Sequence, residues 1–133
     1  MYRNNKKIMR IVNFKKIKFI DIKSNKINYL LKNKGLYVFP SAPGLASIDE
    51  EKKYYDSLKK ANFVFFDSSY FVLLLKFLKN INVERLSGYK FLKFFFHFIK
   101  KKKRLKIFLI DPSLKKSNNN LNYLLKLNLN KNN

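Results

Sequence analysis

The chain has 133 residues, of which 47% are hydrophobic, and a formal net charge of +22 from 30 Lys and Arg against 8 Asp and Glu. This length suits one domain, which we expect over residues 8–127, and the hydrophobic share is large enough to build a core. The absence of cysteine excludes disulfides, thiolate metal sites and cysteine nucleophiles. The single histidine, His97, excludes a multi-histidine metal site.

The positive charge is compatible with two kinds of partner, nucleic acid and an anionic membrane surface. The excess is nearly all lysine and accompanies abundant Asn, Ile, Phe, Leu and Tyr, a combination that coding DNA rich in A and T also favours. Arginine, which reads phosphates and bases better than lysine does, occurs only at Arg3, Arg10, Arg85 and Arg104. Nucleic-acid binding is therefore the less favoured explanation of the charge, while coding bias and a membrane surface stay open as explanations.

No apolar run approaches the ~20 residues that a membrane-spanning helix requires. The most apolar runs, residues 70–78 and 91–99, are interrupted by lysine or histidine. Residues 1–7 form a basic lead that we expect to be disordered, and no apolar signal-peptide core with a cleavage site follows it. We therefore expect a cytoplasmic protein that attaches peripherally to the inner face of the cell membrane.

The first predicted elements of the chain are a β-hairpin, a helix and a strand, in that order. Short apolar runs separated by lysines predict an N-terminal β-hairpin within residues 8–22. Ser24 and Asn25 are the expected N-cap of a helix, and residues 36–39 predict an apolar strand that Pro40 stops.

A small-residue loop, residues 41–45, follows the carboxyl end of that strand. Small residues let the backbone approach a ligand closely, which makes Ser41 a candidate binding residue, although an ordinary turn is the alternative. Ser47 and Glu50 match a capping box, which predicts that a helix begins here and ends near Lys60.

Residues 63–66 form a wholly apolar run that suits a strand buried on both faces, and Asp67 and Ser68 follow it. Ligands of open α/β sheets bind outside the carboxyl ends of such strands, and the N-terminus of the next helix favours an anionic group. Asp67 is therefore a candidate base, with capping of the helix as its alternative role. We expect that helix, residues 70–78, to be buried because it is apolar nearly all round.

The remaining elements continue the alternation. A helix is expected over residues 89–99, a strand over residues 105–110, and a last helix over residues 117–127. Asp111 is a second carboxylate at the end of a predicted strand, and we rank it below Asp67 because a plain turn also explains it. Residues 128–133, rich in Asn and Lys, are expected to be frayed.

Strands alternating with helices predict the α/β class, here a parallel Rossmann-like sheet with helices on both faces and the β-hairpin at its N-terminus. Three blocks in this sequence, YVFPSAPGL, LKKANFVFFDS and ERLSGYKFL, are the most informative stretches. They occupy residues 37–45, 58–68 and 84–92. In their order and spacing they resemble the WecG/TagA/CpsF family of glycosyltransferases, and the likeness covers residues 17–125.

The resemblance implies an inverting transfer of an N-acetylmannosamine-type sugar from a UDP-sugar to a saccharide acceptor linked to polyprenyl diphosphate, in cell-surface polysaccharide synthesis and without a metal or other cofactor. It implies that Asp67 is the catalytic base. The substrate-binding residues implied by the same likeness are Ser41, Ser68, Arg85, Ser87 and Gly88. Family domains continue beyond the point where this chain ends, so we also expect the domain to be incomplete.

Two other functions stay open on the sequence alone. The charge of +22 is compatible with a small basic nucleic-acid-binding protein, whose affinity would fall steeply with salt. The short length relative to the family is compatible with an inactive, truncated remnant of the glycosyltransferase.

Overall fold

The computed structural model describes residues 8–102, 106–127 and 129. The chain divides into two compact units, Met1–Leu92 and Lys93–Asn133, and the single domain expected over residues 8–127 stays a prediction. The expectations for residues 1–7, and for the tail apart from residue 129, lie outside the described part.

Four strands and five α-helices occur among the described residues: β1 Met9–Phe14, β2 Ile17–Ile22, β3 Tyr37–Val38, β4 Phe63–Phe65, α1 Ala42–Ala46, α2 Lys52–Lys60, α3 Ser69–Lys79, α4 Gly88–Lys100 and α5 Leu114–Lys126. A 3₁₀ helix, Ser24–Tyr29, lies between β2 and β3. No described helix is both long enough and apolar enough to cross a membrane.

The predicted N-terminal hairpin is confirmed by β1 and β2. The two strands pair antiparallel, from Met9 opposite Ile22 to Phe14 opposite Ile17. The turn consists of two lysines at positions 15 and 16 with φ angles of 47° and 62°. Both therefore lie in the left-handed region that a two-residue type I′ turn requires, which closes the hairpin without a glycine.

The sheet has the strand order β1-β2-β4-β3. β4 pairs parallel with β2 on one side and with β3 on the other, so Val64 stands between Phe19 and Val38. Parallel strands joined by helical segments confirm the predicted Rossmann-like α/β class, and the hairpin adds an antiparallel strand at one edge.

Helices cover both faces of this sheet within the first unit. Side chains of a strand alternate between the faces, and Val64 belongs to a buried cluster with Leu58 of α2 and Phe71 of α3. On the opposite face the ring of Phe65 lies 6.0 Å from the ring of Phe91 in α4. The sheet is thus sandwiched, as the sequence predicts.

The segment between β3 and α2 differs from the prediction. Residues 41–45 begin a short helix rather than a loop, with Ser41 as the N-cap of α1. The capping box predicted at Ser47 and Glu50 is wrong, because the Ser47 hydroxyl donates to the carbonyl four residues before it at 3.3 Å, and α2 begins only at Lys52. Ile48 is 1% exposed, so core packing holds this stretch as a turn.

The predicted N-cap at Ser24 and Asn25 is also wrong. The cap position of the 3₁₀ helix is Lys23, which makes no capping bond through its side chain. The Ser24 hydroxyl instead donates to the carboxylate of Glu84 at 3.0 Å. A partner distant in sequence therefore replaces the local cap.

The prediction that the helix over residues 70–78 is buried is wrong for half of its surface. In α3, Phe71 and Leu75 are buried, whereas Phe77 and Leu78 are 78% and 76% exposed. A helix that lies on one face of a sheet presents only one side to it. Within the first unit, the other side of α3 remains exposed.

The second unit confirms the predicted last helix as α5, which begins at Leu114, three residues earlier than expected. Ser113 is its N-cap and accepts from the backbone N–H of Lys116 at 3.4 Å. Ile99 of α4 and Leu124 of α5 belong to one buried cluster.

The strand predicted over residues 105–110 is wrong within the described residues 106–110, which have no regular secondary structure. Phe108 and Ile110 are each 94% exposed. A strand needs a neighbour for its backbone groups, and no described strand pairs with this segment.

Candidate functional site

Strand β4 delivers Asp67 to the surface at its carboxyl end. Phe66 is 1% exposed, and the half-buried Asp67 is the first polar side chain after it. The alternative that Asp67 caps the next helix is wrong, because Ser68 is the N-cap of α3 and its hydroxyl accepts from the N–H of Phe71 at 3.1 Å. The Asp67 carboxylate has no hydrogen-bond or ion-pair partner among the described residues. It is therefore available to accept a proton.

Strand β3 brings Ser41 to the same edge of the sheet. β3 and β4 are parallel, with Val38 opposite Val64. Ser41 follows Val38 by three residues, and Asp67 follows Val64 by three, so both side chains come after the carboxyl ends of neighbouring strands. The Ser41 hydroxyl is exposed and accepts from the N–H of Gly44 at 3.4 Å.

Arg85 lies beside Asp67 without neutralising it. Its Nε donates to the backbone carbonyl of Asp67 at 2.5 Å, and the N–H of Leu86 donates to the carbonyl of Phe66 at 3.0 Å. The terminal amino groups of Arg85 have no protein partner within the described part of the chain. The loop thus fixes a guanidinium group at the end of β4 and leaves its outer nitrogens open to a ligand.

Ser87 and Gly88 begin helix α4 at the same edge. The Ser87 hydroxyl accepts from the N–H of Lys90 at 3.2 Å. A Cβ added to Gly88 would lie 3.4 Å from the Phe39 ring carbon Cγ, so the first turn of α4 packs on the residue that follows β3. Phe39 in turn stacks on Phe65 of β4 at 4.9 Å between ring centroids. These aromatic contacts bring the N-terminus of α4 to the ends of β3 and β4.

The site therefore combines a free carboxylate, a guanidinium group and the N-termini of α3 and α4. Helix N-termini carry a partial positive charge and unpaired N–H groups, which makes them suited to anions such as phosphate. All six candidate residues named from the sequence belong to the first unit. A hydrogen bond joins Arg85 to the backbone of Asp67, and Ser68 is the next residue along the chain.

A model of a known family matches most of the chain. The model of the glycosyl transferase WecG/TagA/CpsF family matches residues 9–123, a range that includes every candidate residue. The chain belongs to the WecG/TagA/CpsF family of glycosyltransferases. Neither the curated proteins nor the solved structures provide a match to it. Membership of the WecG/TagA/CpsF family implies a glycosyltransferase of cell-surface polysaccharide synthesis, with a sugar donor and a lipid-linked acceptor.

Sequence reasoning missed the residues that hold Arg85 in this WecG/TagA/CpsF site. The backbone N–H of Glu84 donates to Asp21 Oδ1 at 2.9 Å, and Asp21 is paired with Arg10 at 2.7 Å. The Glu84 carboxylate accepts from both the N–H and the hydroxyl of Ser24, each at 3.0 Å. These bonds tie the loop to the end of β2. In the sequence, the only local indication of these bonds is that a glutamate, Glu84, directly precedes Arg85.

The other carboxylate considered from the sequence, Asp111, lies in the second unit. Its Oδ1 accepts from the side-chain amide of Asn120 at 2.8 Å. Within the described residues, no cluster of three or more Asp, Glu, His or Cys side chains is positioned to hold a metal ion.

Proposed function

We propose that this WecG/TagA/CpsF protein transfers an N-acetylmannosamine-type sugar from a UDP-sugar to a lipid-linked saccharide, with inversion at the anomeric carbon and Asp67 as the base. The observation that carries this proposal is the unpaired carboxylate of Asp67, which directly precedes the N-cap of α3 and whose backbone carbonyl accepts from the Nε of Arg85. A base and a site for a departing anion are thus adjacent.

The chemistry of inverting transfer needs both groups. Asp67 takes the proton of the acceptor hydroxyl as the oxygen attacks the anomeric carbon, and the bond from that carbon to the UDP oxygen breaks. The bonding electron pair leaves with the diphosphate. Arg85 and the N-terminus of α3 stabilise the charge that develops there, in the manner of preorganised donors in other transfer enzymes.

Three hydroxyl groups of the site suit substrate binding. Those of Ser41, Ser68 and Ser87 each accept a hydrogen bond from a backbone N–H, so each hydroxyl proton remains available to donate to a phosphate or sugar oxygen. Gly88 has no side chain, which lets the first turn of α4 pack on Phe39 and brings the backbone N–H groups of that turn to the site.

The charge of the chain supports a lipid-linked acceptor. An acceptor on polyprenyl diphosphate lies at a membrane surface, and a protein with a formal charge of +22 is attracted to anionic lipids. We therefore place the protein in the cytoplasm, peripherally bound to the inner face of the cell membrane.

A transfer assay with UDP-N-acetylmannosamine and a polyprenyl-diphosphate-linked saccharide tests the proposal. Asp67→Asn keeps the size of the side chain and removes its basicity, so we expect kcat to fall by about 10²–10⁴-fold. Glu50→Gln is the matched control, because this exposed carboxylate has no partner in the described part of the molecule, and its rate should equal that of the wild type. If Asp67→Asn turned over at the wild-type rate, Asp67 would not be the base.

Donor binding is tested separately by calorimetric titration with UDP. Arg85→Ala should weaken UDP binding by at least about tenfold, because it removes a charge-assisted contact to the diphosphate. Lys18→Ala is the control, since it removes the same charge from an exposed position on β2. Random RNA is the comparator, and salt-sensitive RNA binding without UDP binding would favour the nucleic-acid function instead.

A further inference from the structure

Helix α3 has an apolar outer face that remains exposed within the first unit. Its exposed members are Tyr70, Leu73, Phe77 and Leu78, at 65%, 50%, 78% and 76% of their accessible surface. Tyr70, Leu73 and Phe77 are three and four residues apart, so they form one stripe along the helix, and Leu78 lies beside its C-terminal end. Contiguous exposed patches of this kind mark interaction surfaces in soluble proteins.

A groove runs beside this outer face, between α1 and α3. It has a volume of about 230 Å³ and is lined by apolar side chains that include Leu45, Leu74 and Leu78. Among the described residues that line it, Lys79 carries a charge and the others are apolar or aromatic. The groove therefore extends the apolar surface of α3 rather than forming a polar site.

The charges next to the outer face are positive. Lys76 and Lys79 belong to the last turns of α3, which contains no acidic residue. Lysine places its aliphatic stem along apolar surface and keeps its ammonium group in water, while tyrosine and other aromatic residues favour the headgroup region of a bilayer. An apolar stripe with flanking lysines is the pattern of helices that lie in a membrane interface.

We propose that the outer face of α3 docks on the anionic surface of a lipid bilayer, with Phe77 and Leu78 inserted among the acyl chains and Lys76 and Lys79 at the headgroups. The charge complementarity of this face with anionic lipid favours a bilayer over a second, equally basic copy of this chain or another protein.

Docking through α3 also places the candidate base near the lipid. Asp67 and Ser68 directly precede the helix, which has 11 residues and is therefore about 16 Å long. The saccharide of a lipid-linked acceptor projects from the same surface. Docking deepens the peripheral membrane binding of the proposed function, and this last step rests on the proposed transfer reaction as well. Docking itself needs no transfer activity.

The first test measures partition onto vesicles that contain no acceptor, made of equal parts phosphatidylcholine and phosphatidylglycerol. We expect Phe77→Ser/Leu78→Ser to lower the partition coefficient by at least about tenfold, and Lys76→Gln/Lys79→Gln to lower it by about fivefold per lysine at low salt. The matched control, Tyr29→Ser/Leu36→Ser, removes two apolar side chains that are 52% and 55% exposed and should leave partition unchanged.

A second measurement does not depend on removing apolar surface. The chain contains no tryptophan, so Phe77→Trp introduces a single reporter, whose emission should shift to the blue when vesicles are added. Leu36→Trp, in the control position, should show no shift. Emission of Phe77→Trp that stays unchanged on bound protein would overturn the proposal.

Three further outcomes would also overturn it. In the first, the folded Phe77→Ser/Leu78→Ser variant binds vesicles as well as the wild type does. In the second, added salt abolishes vesicle binding of the wild type and of this variant to the same extent. In the third, the wild type sediments as a dimer, and this variant is a monomer that still binds vesicles. The first two outcomes would mean that charge alone causes vesicle binding. The third would mean that the outer face of α3 binds a second copy of this chain. Because the vesicles carry no substrate, failure of the transfer assay leaves these results unchanged.

Discussion

Glu84→Ala tests whether the hydrogen bonds between Glu84 and Ser24 hold the loop that carries Arg85. In the wild type, one oxygen of the Glu84 carboxylate accepts from the N–H and the hydroxyl of Ser24, both at 3.0 Å. The variant loses both bonds and leaves the Ser24 N–H without its protein partner. Hydrogen bonds to a charged group contribute about 1.5–3 kcal/mol. Because the two bonds share one oxygen and Glu84 is only half-buried, we expect a loss of about 2 kcal/mol in all.

This loss has two measurable consequences. At this chain length, 1 kcal/mol corresponds to a change of about 4 °C in Tm, so thermal unfolding followed by circular dichroism should show a fall of about 8 °C. The guanidinium group of Arg85 also loses its fixed position beside Asp67. A displacement of about 1 Å at a reacting group costs on the order of 100-fold in rate, so kcat should fall while the variant remains folded below its Tm.

Glu84→Gln is the matched variant, because its amide oxygen still accepts from both Ser24 donors. We expect its Tm to stay within about 3 °C of the wild type and its kcat to remain close to it. Glu50→Ala, at an exposed glutamate without a described partner, controls for the loss of a carboxylate. Equal Tm values for Glu84→Ala and wild type, or equal losses in Glu84→Ala and Glu84→Gln, would refute this account of the loop.

Two further predictions concern stability. Gly35 has a φ of +155°, and a Cβ there would lie 2.9 Å from the Asn62 side chain. Gly35→Ala should therefore lower the free energy of unfolding, measured in urea, by about 2 kcal/mol. Gly88→Ala, without this strain, should lower it by less, and equal losses in the two variants would contradict the reasoning. Burial raises the pKa of Tyr37 above its ordinary value of 10.0, so the unfolded chain releases this proton first as pH rises. The stability difference between wild type and Tyr37→Phe should therefore be constant below pH 10.0 and shrink above it, whereas a difference that stays constant at higher pH would be contrary evidence.

The sequence predicted the elements that depend on local patterns. The hairpin, the strand that ends before Pro40 and the strand that delivers Asp67 follow from short apolar runs bounded by polar or turn residues. The family resemblance, carried by three short blocks, was confirmed by a match over residues 9–123. In these stretches the local propensity agrees with the tertiary environment.

The sequence failed where a local signal competed with packing. Ser47 and Glu50 have the form of a capping box, yet the burial of Ile48 delays helix α2 to Lys52. The apolar composition of α3 indicated a buried helix, although composition cannot tell whether a second layer covers it. Both errors arise because a pattern along the chain does not specify what lies across from it.

The sequence by itself indicated which residues are candidates for chemistry and that Asp67 and Ser41 follow the ends of strands. The tertiary structure decided how these candidates are arranged. It assigned the helix cap to Ser68, which leaves the Asp67 carboxylate unpaired. It also joined Glu84 to Ser24 across 60 positions of chain. Such contacts depend on the parallel pairing of distant strands, whose partners no local periodicity encodes.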